Sequence, residues 1–498
     1  MTKKDEVMFG FLSKKLKQGE TTLILILLLQ LAIHLKIGTN VFFIDEQTYL
    51  SEASWISEGL IPHRDFFLDR LPAFLFLLGP LYSISGGSFL FLRISIAAIC
   101  LAITVMVFII GERLFGKNVG RLSAAIFAIS EPAFLSFMVM PDSLYALLSS
   151  AAFLILISEK LNRKDILFSG FLLGIILTIR QSGIFAILFV SLFLIYLFYQ
   201  RKIQSAEIVV FLLASAIPTL SFFLFYAVVG GLDRLKFNLF YLSRYHFDLL
   251  PHAADKLVQF LLNSVDFIAW FQILFFLVMA LAIHLRHNSL MPGSSKVTLL
   301  LIFALSGLLN FFPNTALNHI LPLLPWASIL MALCILSLKE NDFSSIFLAS
   351  LAMFLFFINF NSSIVMLTVT PNTSYGHISY NTFRSVSDYI KSHTSPDEKI
   401  LAYDFLPIYH MSERLPDSYY QEAEFAYTNK DSEEEITQII EQKKTRYIAL
   451  VSSYYINYKV DKNMSAFVRL SEYLKENYTT ESSFSNSDGP AILVLRRK

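Results

Sequence analysis

The chain is poor in charged residues and almost lacks cysteine. Only 16% of its 498 residues are Asp, Glu, Lys or Arg, whereas soluble domains carry about 25%. The net charge of +1 leaves no excess of basic residues for a nucleic-acid partner. The two cysteines, Cys100 and Cys334, both lie inside apolar runs. We therefore expect neither a disulfide framework nor a cysteine-based metal site.

Several common motifs are also missing from the sequence. It has no glycine-rich phosphate loop and no nucleophile elbow, which argues against a P-loop nucleotidase and an α/β-hydrolase. It has no internal repeat, which many secondary transporters have. The basic segment 1–20 is not followed by a small-residue cleavage site, so we interpret the next apolar run as a retained first span.

Long apolar runs dominate the sequence instead. Hydrophobic residues make up 55% of the chain, the mean hydropathy is +0.57, and many runs have the roughly 17–25 residues that cross a bilayer. The sequence predicts an α-helical polytopic membrane protein with about eleven spans. The predicted spans cover 21–37, 89–111, 119–138, 143–158, 166–180, 183–199, 206–229, 265–285, 297–312, 320–338 and 343–368.

The distribution of lysine and arginine predicts the orientation. Segment 1–20 carries five lysines and should be cytoplasmic. If 71–87 does not cross the membrane, the later cationic loops also share the cytoplasmic side, and the C-terminal segment lies outside. Crossing by 71–87 is the alternative, and it would place the basic loop 112–121 outside. We expect a multi-pass protein of the cytoplasmic membrane.

The composition divides the chain into three regions. Segment 1–20 precedes a transmembrane domain over 21–370, whose first outer loop covers 38–87. Residues 371–498 alternate helix-like and strand-like patterns, which predicts a soluble extracytoplasmic α/β domain with a mostly parallel sheet. In the first outer loop, Trp55, Phe66 and Phe67 are expected to be interfacial membrane anchors.

Three carboxylates are candidate catalytic residues. Asp45 and Glu46 follow the first span directly, and Asp142 falls between two apolar runs on the same side. A carboxylate at a membrane edge is costly unless it faces water, a cation or a substrate, and it could deprotonate a hydroxyl acceptor. The alternatives are two solvated loop carboxylates for the first pair and a helix N-cap for Asp142.

Five cationic residues are candidates for binding a phosphate leaving group, whose negative charge grows as the bond breaks. Headgroup snorkelling is the alternative for Arg64 and Arg244. The alternative for Arg70 is an ion pair with Asp69. The alternative for His319 is a helix-end histidine whose hydrogen bonds are satisfied within the protein. The five candidates are Arg64, Arg70, Arg180, Arg244 and His319.

The first outer loop resembles that of GT-C glycosyltransferases. The segments Asp45–Leu50, Gly59–Phe67 and Asp69–Pro72 are most similar to the protein O-mannosyltransferase and lipid A aminoarabinose transferase group. The segments 113–116 and 319–325, together with Asp142, match further motifs in the same order. Arg70 and Arg180 stand where this group often has lysine, so the charge is kept but its geometry changes.

The resemblance implies transfer of a monosaccharide from a polyprenyl-phosphate-sugar donor to a hydroxyl acceptor on a protein, lipid or glycan. On this hypothesis Asp45 is the base of an inverting displacement, Glu46 and Asp142 shape the site, and Arg70 and Arg180 hold the lipid phosphate. No cofactor is required, although a divalent metal at the Asp45–Glu46 pair is an alternative. A lipid-linked-sugar flippase and a GT-C oligosaccharide ligase or polymerase are the alternative functions.

Overall fold

The structure is a computed structural model with a large helical part and a smaller α/β part. It describes residues 21–38, 42–68, 70–159, 161–239, 295–310, 317–336, 343–368, 374–375, 379–403, 405–421, 430–451, 468–486 and 489–498. The predicted span 265–285 and the candidate Arg244 lie outside these residues.

Helices, most of them apolar, form most of the described chain. In order they are α1 (Thr21–Gly38), α2 (Ile44–Ser57), α3 (Ala73–Ile84), α4 (Phe89–Phe115), α5 (Lys117–Ser130), α6 (Pro141–Leu156), α7 (Arg163–Ile179), α8 (Gly183–Tyr199), α9 (Ser205–Val229), α10 (Ser295–Leu309), α11 (Leu324–Leu336) and α12 (Phe343–Thr368).

Among the described residues, four helices are long and apolar enough to cross a membrane, namely α1, α4, α9 and residues 345–368 of α12. Five shorter apolar helices accompany them. Many large apolar side chains of these helices are exposed, including Leu213 of α9 and Phe357 of α12. Such surfaces suit contact with lipid, since burial in protein does not cover them.

The segment predicted to be a span over 119–138 is not one continuous helix. Helix α5 ends at Ser130, a 3-10 turn covers Glu131–Phe134, and Leu135 adopts the left-handed conformation with φ of 59°. Every residue from 131 to 140 is buried. Irregular backbone at membrane depth is tolerated where protein surrounds it. Pro132 and Pro141 favour this break because each lacks an N–H donor.

Small residues let some helices approach closely. Gly170 and Gly174 lie four residues apart in α7 and face α9, where a methyl group at Gly170 would lie 2.7 Å from the Phe211 carbonyl oxygen. A glycine pair with this spacing is a common packing motif of membrane helices. Aromatic rings fill the core between other helices: Phe153 and Trp326 have centroids 4.9 Å apart.

The C-terminal part contains α13 (Tyr380–His393), β3 (Leu401–Ala402), α14 (Leu406–Ser412), α15 (Lys430–Lys443), β4 (Tyr447–Val451), α16 (Val468–Asn477), β5 (Tyr478–Asn486) and β6 (Gly489–Arg497). Its sheet has the order β3-β4-β6-β5. Only β3 and β4 pair in parallel, whereas β6 is antiparallel to both of its neighbours. The predicted mostly parallel sheet is therefore wrong, because β5 and β6 form a hairpin.

The first outer loop packs against the C-terminal part. Trp55 and Phe66 are fully buried, and the Trp55 ring lies edge-on to Tyr409 at 5.2 Å. The Phe67 N–H donates to the Tyr419 carbonyl at 2.7 Å. The prediction that Trp55, Phe66 and Phe67 anchor the membrane interface is wrong, since they fill the protein interior. These contacts place the C-terminal part against α2, which carries Asp45, and against the loop that follows α2.

A two-stranded sheet adds to this junction. Strand β1 (Phe42–Phe43) pairs in parallel with β2 (Ser374–Tyr375). The segment that leads into α2 is thereby joined to the segment that follows α12.

Candidate active site at the first outer loop

Helix α2 presents two adjacent carboxylates that have different environments. Asp45 and Glu46 both lie in its first turn, where negative charge is favoured by the helix dipole. Asp45 is exposed, whereas Glu46 is fully buried. Exposure leaves Asp45 accessible to an acceptor, and burial requires Glu46 to have partners of its own.

Arg93, near the start of α4, is the partner of Glu46. Its Nε donates to Glu46 Oε1 at 3.0 Å and its Nη2 to Glu46 Oε2 at 2.5 Å. The Val139 N–H also donates to Glu46 Oε1, at 2.8 Å. Both oxygens of Glu46 therefore accept hydrogen bonds. Glu46 joins α2 to α4 and to the irregular segment before α6.

Asp142 forms a second buried cluster, three residues beyond Val139. Its Oδ1 accepts from Arg180 Nη1, and its Oδ2 accepts from Asn318 Nδ2 at 2.9 Å. Asp142 lies in the first turn of α6. Its side chain is buried, whereas the Arg180 side chain is 19% exposed. Because a guanidinium has five N–H donors, Arg180 can hold Asp142 and still present donors to an anion.

Hydrogen bonds connect the Asp142 cluster to residues 310–319. Ser182 donates to Asn310 Oδ1, and Asn310 Nδ2 donates to the His319 carbonyl at 2.9 Å. His319 is buried within the 3-10 turn Leu317–Ile320. Polar contacts therefore link four segments that lie far apart in sequence: α2, residues 139–142, residues 180–182 and residues 310–319.

The remaining predicted cations lie elsewhere on the first outer loop. Arg70 donates to Glu52 of α2, and its guanidinium carbon lies 4.2 Å from the centre of the Tyr49 ring. Arg64 binds Asp65 through two hydrogen bonds of 2.9 and 2.7 Å and is exposed. The alternative partner Asp69 lies outside the described residues.

A buried histidine, His63, and a partly buried one, His410, mark the contact between the outer loop and its neighbours. Burial lowers the pKa of His63 to about 3 and that of His410 to about 4. Asn238 Nδ2 donates to His63 Nδ1 at 3.0 Å, and the Tyr82 hydroxyl lies 2.8 Å from His410 Nδ1. Both histidines are therefore neutral at neutral pH.

Sequence reasoning missed Arg93, Glu52 and Asn318. Arg93 carried a usable signal, because a lone charge within an apolar run is rarely placed there without a partner. Glu52 carried a weaker signal, because it is one of many charged residues in the first outer loop. Asn318 gave no signal of its own, because its role depends on a contact with Asp142 across 176 positions.

Known proteins share this architecture. Residues 69–226, less than half of the chain, match the family model described as dolichyl-phosphate-mannose-protein mannosyltransferase. No curated protein sequence matches the chain. The crystal structure of ArnT from Cupriavidus metallidurans bound to undecaprenyl phosphate aligns with a TM-score of 0.58 and 10% identity, over 95% of this chain and 97% of that one.

A second type of structure aligns as well. The archaeal oligosaccharyltransferase AglB from Archaeoglobus fulgidus, in complex with an inhibitory peptide and a dolichol-phosphate, has a TM-score of 0.51 and 12% identity. The alignment covers 94% of this chain and 74% of that one. The chain has the GT-C glycosyltransferase fold. The resemblance expected from the first outer loop is thereby confirmed at the level of the fold.

Proposed function

We propose that the chain is a membrane glycosyltransferase that transfers a monosaccharide from a polyprenyl-phosphate donor to a hydroxyl acceptor at the outer face of the membrane. The GT-C fold supports the reaction class, and the matched family model names a lipid-phosphate-linked sugar. The observation that carries the assignment of the base is the contrast among the three candidate carboxylates. Asp45 is exposed, whereas Glu46 and Asp142 are buried.

In the proposed reaction the acceptor hydroxyl attacks the anomeric carbon from the face opposite the phosphate, and the configuration inverts. Asp45 takes the hydroxyl proton as the new carbon–oxygen bond forms. The bond between the anomeric carbon and the phosphate oxygen breaks, and its electron pair stays on the polyprenyl phosphate.

Arg180 neutralises the charge that develops on that phosphate. Asp142 and Asn318 orient Arg180, and Glu46 holds the first turn of α2 through Arg93. These three residues, Asp142, Asn318 and Glu46, are therefore positioning residues in this scheme. Arg70 is a second phosphate-binding candidate, with Glu52 as its support.

Replacement of the base tests the proposal. Membranes containing the protein would receive synthetic radiolabelled undecaprenyl-phosphate monosaccharides, beginning with mannose, with membranes of the source cells as the supply of acceptors. We expect Asp45→Asn to reduce transfer at least about a hundredfold, because general-base catalysis contributes roughly that much. Asp388→Asn, an exposed carboxylate on α13, is the matched control and should keep full activity.

Two results would contradict the proposal. Transfer by Asp45→Asn at the wild-type rate would remove Asp45 as the base. Movement of the lipid-linked sugar across vesicles, without release of undecaprenyl phosphate or formation of a glycosylated product, would favour a flippase.

A further inference from the structure

A second cluster of titratable side chains lies deeper among the helices, apart from Asp45. His34 of α1, Cys100 of α4 and Glu131, the first residue after α5, are all buried. One ligand atom from each lies within 4.8 Å of the others: an imidazole nitrogen, the thiol sulfur and a carboxylate oxygen. Burying ionisable groups among membrane helices costs free energy, so three of them together indicate a functional role.

The hydrogen bonds of the cluster account for only one carboxylate oxygen. His34 Nε2 lies 2.6 Å from Glu131 Oε1, and Gln30 Nε2 donates to the same oxygen at 3.2 Å. The Thr104 hydroxyl in turn donates to Gln30 Oε1 at 2.8 Å. A supporting shell of this kind orients the carboxylate and limits its freedom to turn.

The other oxygen of Glu131 has no hydrogen-bond partner in the described part of the chain, although the residue is fully buried. The same is true of Ser136 Oγ. Cys100 makes only weak contacts, at 3.7 Å to the Ser136 carbonyl and 3.9 Å to Ser143 Oγ. Buried polar atoms without partners are uncommon and point to an additional ligand.

We propose that His34, Cys100 and Glu131 bind a zinc ion. Imidazole nitrogen, thiolate sulfur and carboxylate oxygen are the three ligand types that zinc accepts in proteins, and a water can complete four-fold coordination. The charges also balance: a thiolate and a carboxylate neutralise the divalent ion, which lowers the cost of burial among apolar helices.

Binding exchanges protons for the metal. The thiol proton of Cys100 leaves as the Zn–S bond forms, and any proton on the coordinating nitrogen of His34 or the coordinating oxygen of Glu131 must leave that atom before zinc can bind it. No oxidant or reductant is needed. Zinc affinity should therefore fall as the pH is lowered, because protons compete for the same ligand atoms.

The proposed zinc site lies where the irregular segment 131–140 meets α1 and α4. Glu131 opens the irregular segment 131–140, whose Val139 N–H binds Glu46. A zinc ion would link this segment to α1 through His34 and to α4 through Cys100. The site does not include Asp45, so the proposal goes beyond the glycosyltransferase assignment and stands without it.

Metal content and a spectroscopic probe test the site in the full-length protein purified in detergent. After incubation with zinc chloride and removal of excess metal, we expect about one zinc per chain by elemental mass spectrometry. Cobalt in place of zinc should give a thiolate-to-cobalt charge-transfer band. Cys100→Ser should abolish that band, and Glu131→Gln should weaken metal retention at least tenfold.

Cys334→Ser is the matched control, because Cys334 is the other buried cysteine and lies in α11. It should leave both the zinc content and the cobalt band unchanged. Wild-type protein that retains much less than one zinc, or whose cobalt complex lacks the thiolate band, overturns the proposal without reliance on any variant. Zinc retained equally by Cys100→Ser and wild type also overturns it, since that metal would bind elsewhere.

Discussion

The Glu46–Arg93 ion pair should be one of the most sensitive points of the helical part. Side-chain exposure is 3% for Arg93 and zero for Glu46. Replacing Arg93 by Met leaves the Glu46 carboxylate buried, with the Val139 N–H as its one remaining hydrogen-bond donor among the described residues. Removing one member of a buried pair costs about 3–5 kcal/mol. Because about 1.4 kcal/mol is a factor of ten, the folded-to-unfolded ratio should fall by roughly two to four orders of magnitude.

The double variant separates the charge effect from loss of packing. In Glu46→Leu with Arg93→Met, no unpaired charge remains, and apolar replacement of a buried pair is often close to neutral. The Val139 N–H loses its acceptor, which costs about 1–3 kcal/mol. The double variant should therefore be more stable than Arg93→Met alone.

Unfolding in detergent micelles by added sodium dodecyl sulfate, followed by tryptophan fluorescence, measures these differences. The matched control is the Arg384–Asp388 pair on α13, whose side chains are 66% and 70% exposed and whose closest N and O atoms lie 3.9 Å apart. Arg384→Met should cost less than about 1 kcal/mol. If Arg93→Met cost no more than this control, or the double variant were as unstable as the sum of the singles, the reasoning would be refuted.

Three further predictions concern the site, the histidines and the domain contact. Arg180→Lys keeps the charge but loses the planar donor fork, so undecaprenyl phosphate should bind about tenfold more weakly by native mass spectrometry, whereas Arg201→Lys should bind like wild type. His63 and His410 have pKa values of about 3 and about 4 in the folded state, below the unfolded value of about 6.5. Below pH 6.5 the unfolded state therefore binds more protons, and stability should fall by about 1.4 kcal/mol per pH unit for each histidine down to about pH 4. His63→Gln combined with His410→Gln should flatten that slope in the same unfolding assay, and an unchanged slope would exclude these residues as its source. Trp55→Ala should cost about 3–5 kcal/mol and speed proteolytic release of the C-terminal part, whereas the exposed Phe357→Ala should not.

The general architecture could be read from hydropathy because a bilayer imposes its thickness on every span. Helices α1, α4, α8, α9 and α12 begin within one residue of prediction. The break after Ser130 could not be predicted from hydropathy, since residues 132–135 are apolar and their irregular backbone is stabilised by contacts with distant segments. The alternation of helix-like and strand-like patterns over 371–498 predicted an α/β part, but the direction in which strands pair depends on which strand lies beside which.

The candidate site was predictable in part for a similar reason. Asp45, Asp142 and Arg180 could each be recognised at the end of an apolar run, because charge there is conspicuous against apolar surroundings. Which carboxylate pairs with which cation could not be recognised. Glu46 and Asp142 both read as acidic residues of outer loops, yet one binds Arg93 and the other binds Arg180. Their roles as catalytic or positioning residues stay predictions until the variants are measured.

The position of Glu131 has a consequence for biogenesis. The chain is synthesised from its N-terminus, so α1, which carries Gln30 and His34, leaves the ribosome about a hundred residues before Glu131. The carboxylate at the end of α5 therefore enters the membrane when both of its hydrogen-bonding partners have already been made. A ribosome-stalling series should show α5 inserting efficiently when α1 is present. Replacement of Gln30 and His34 by leucine should reduce insertion even though it makes α1 more apolar.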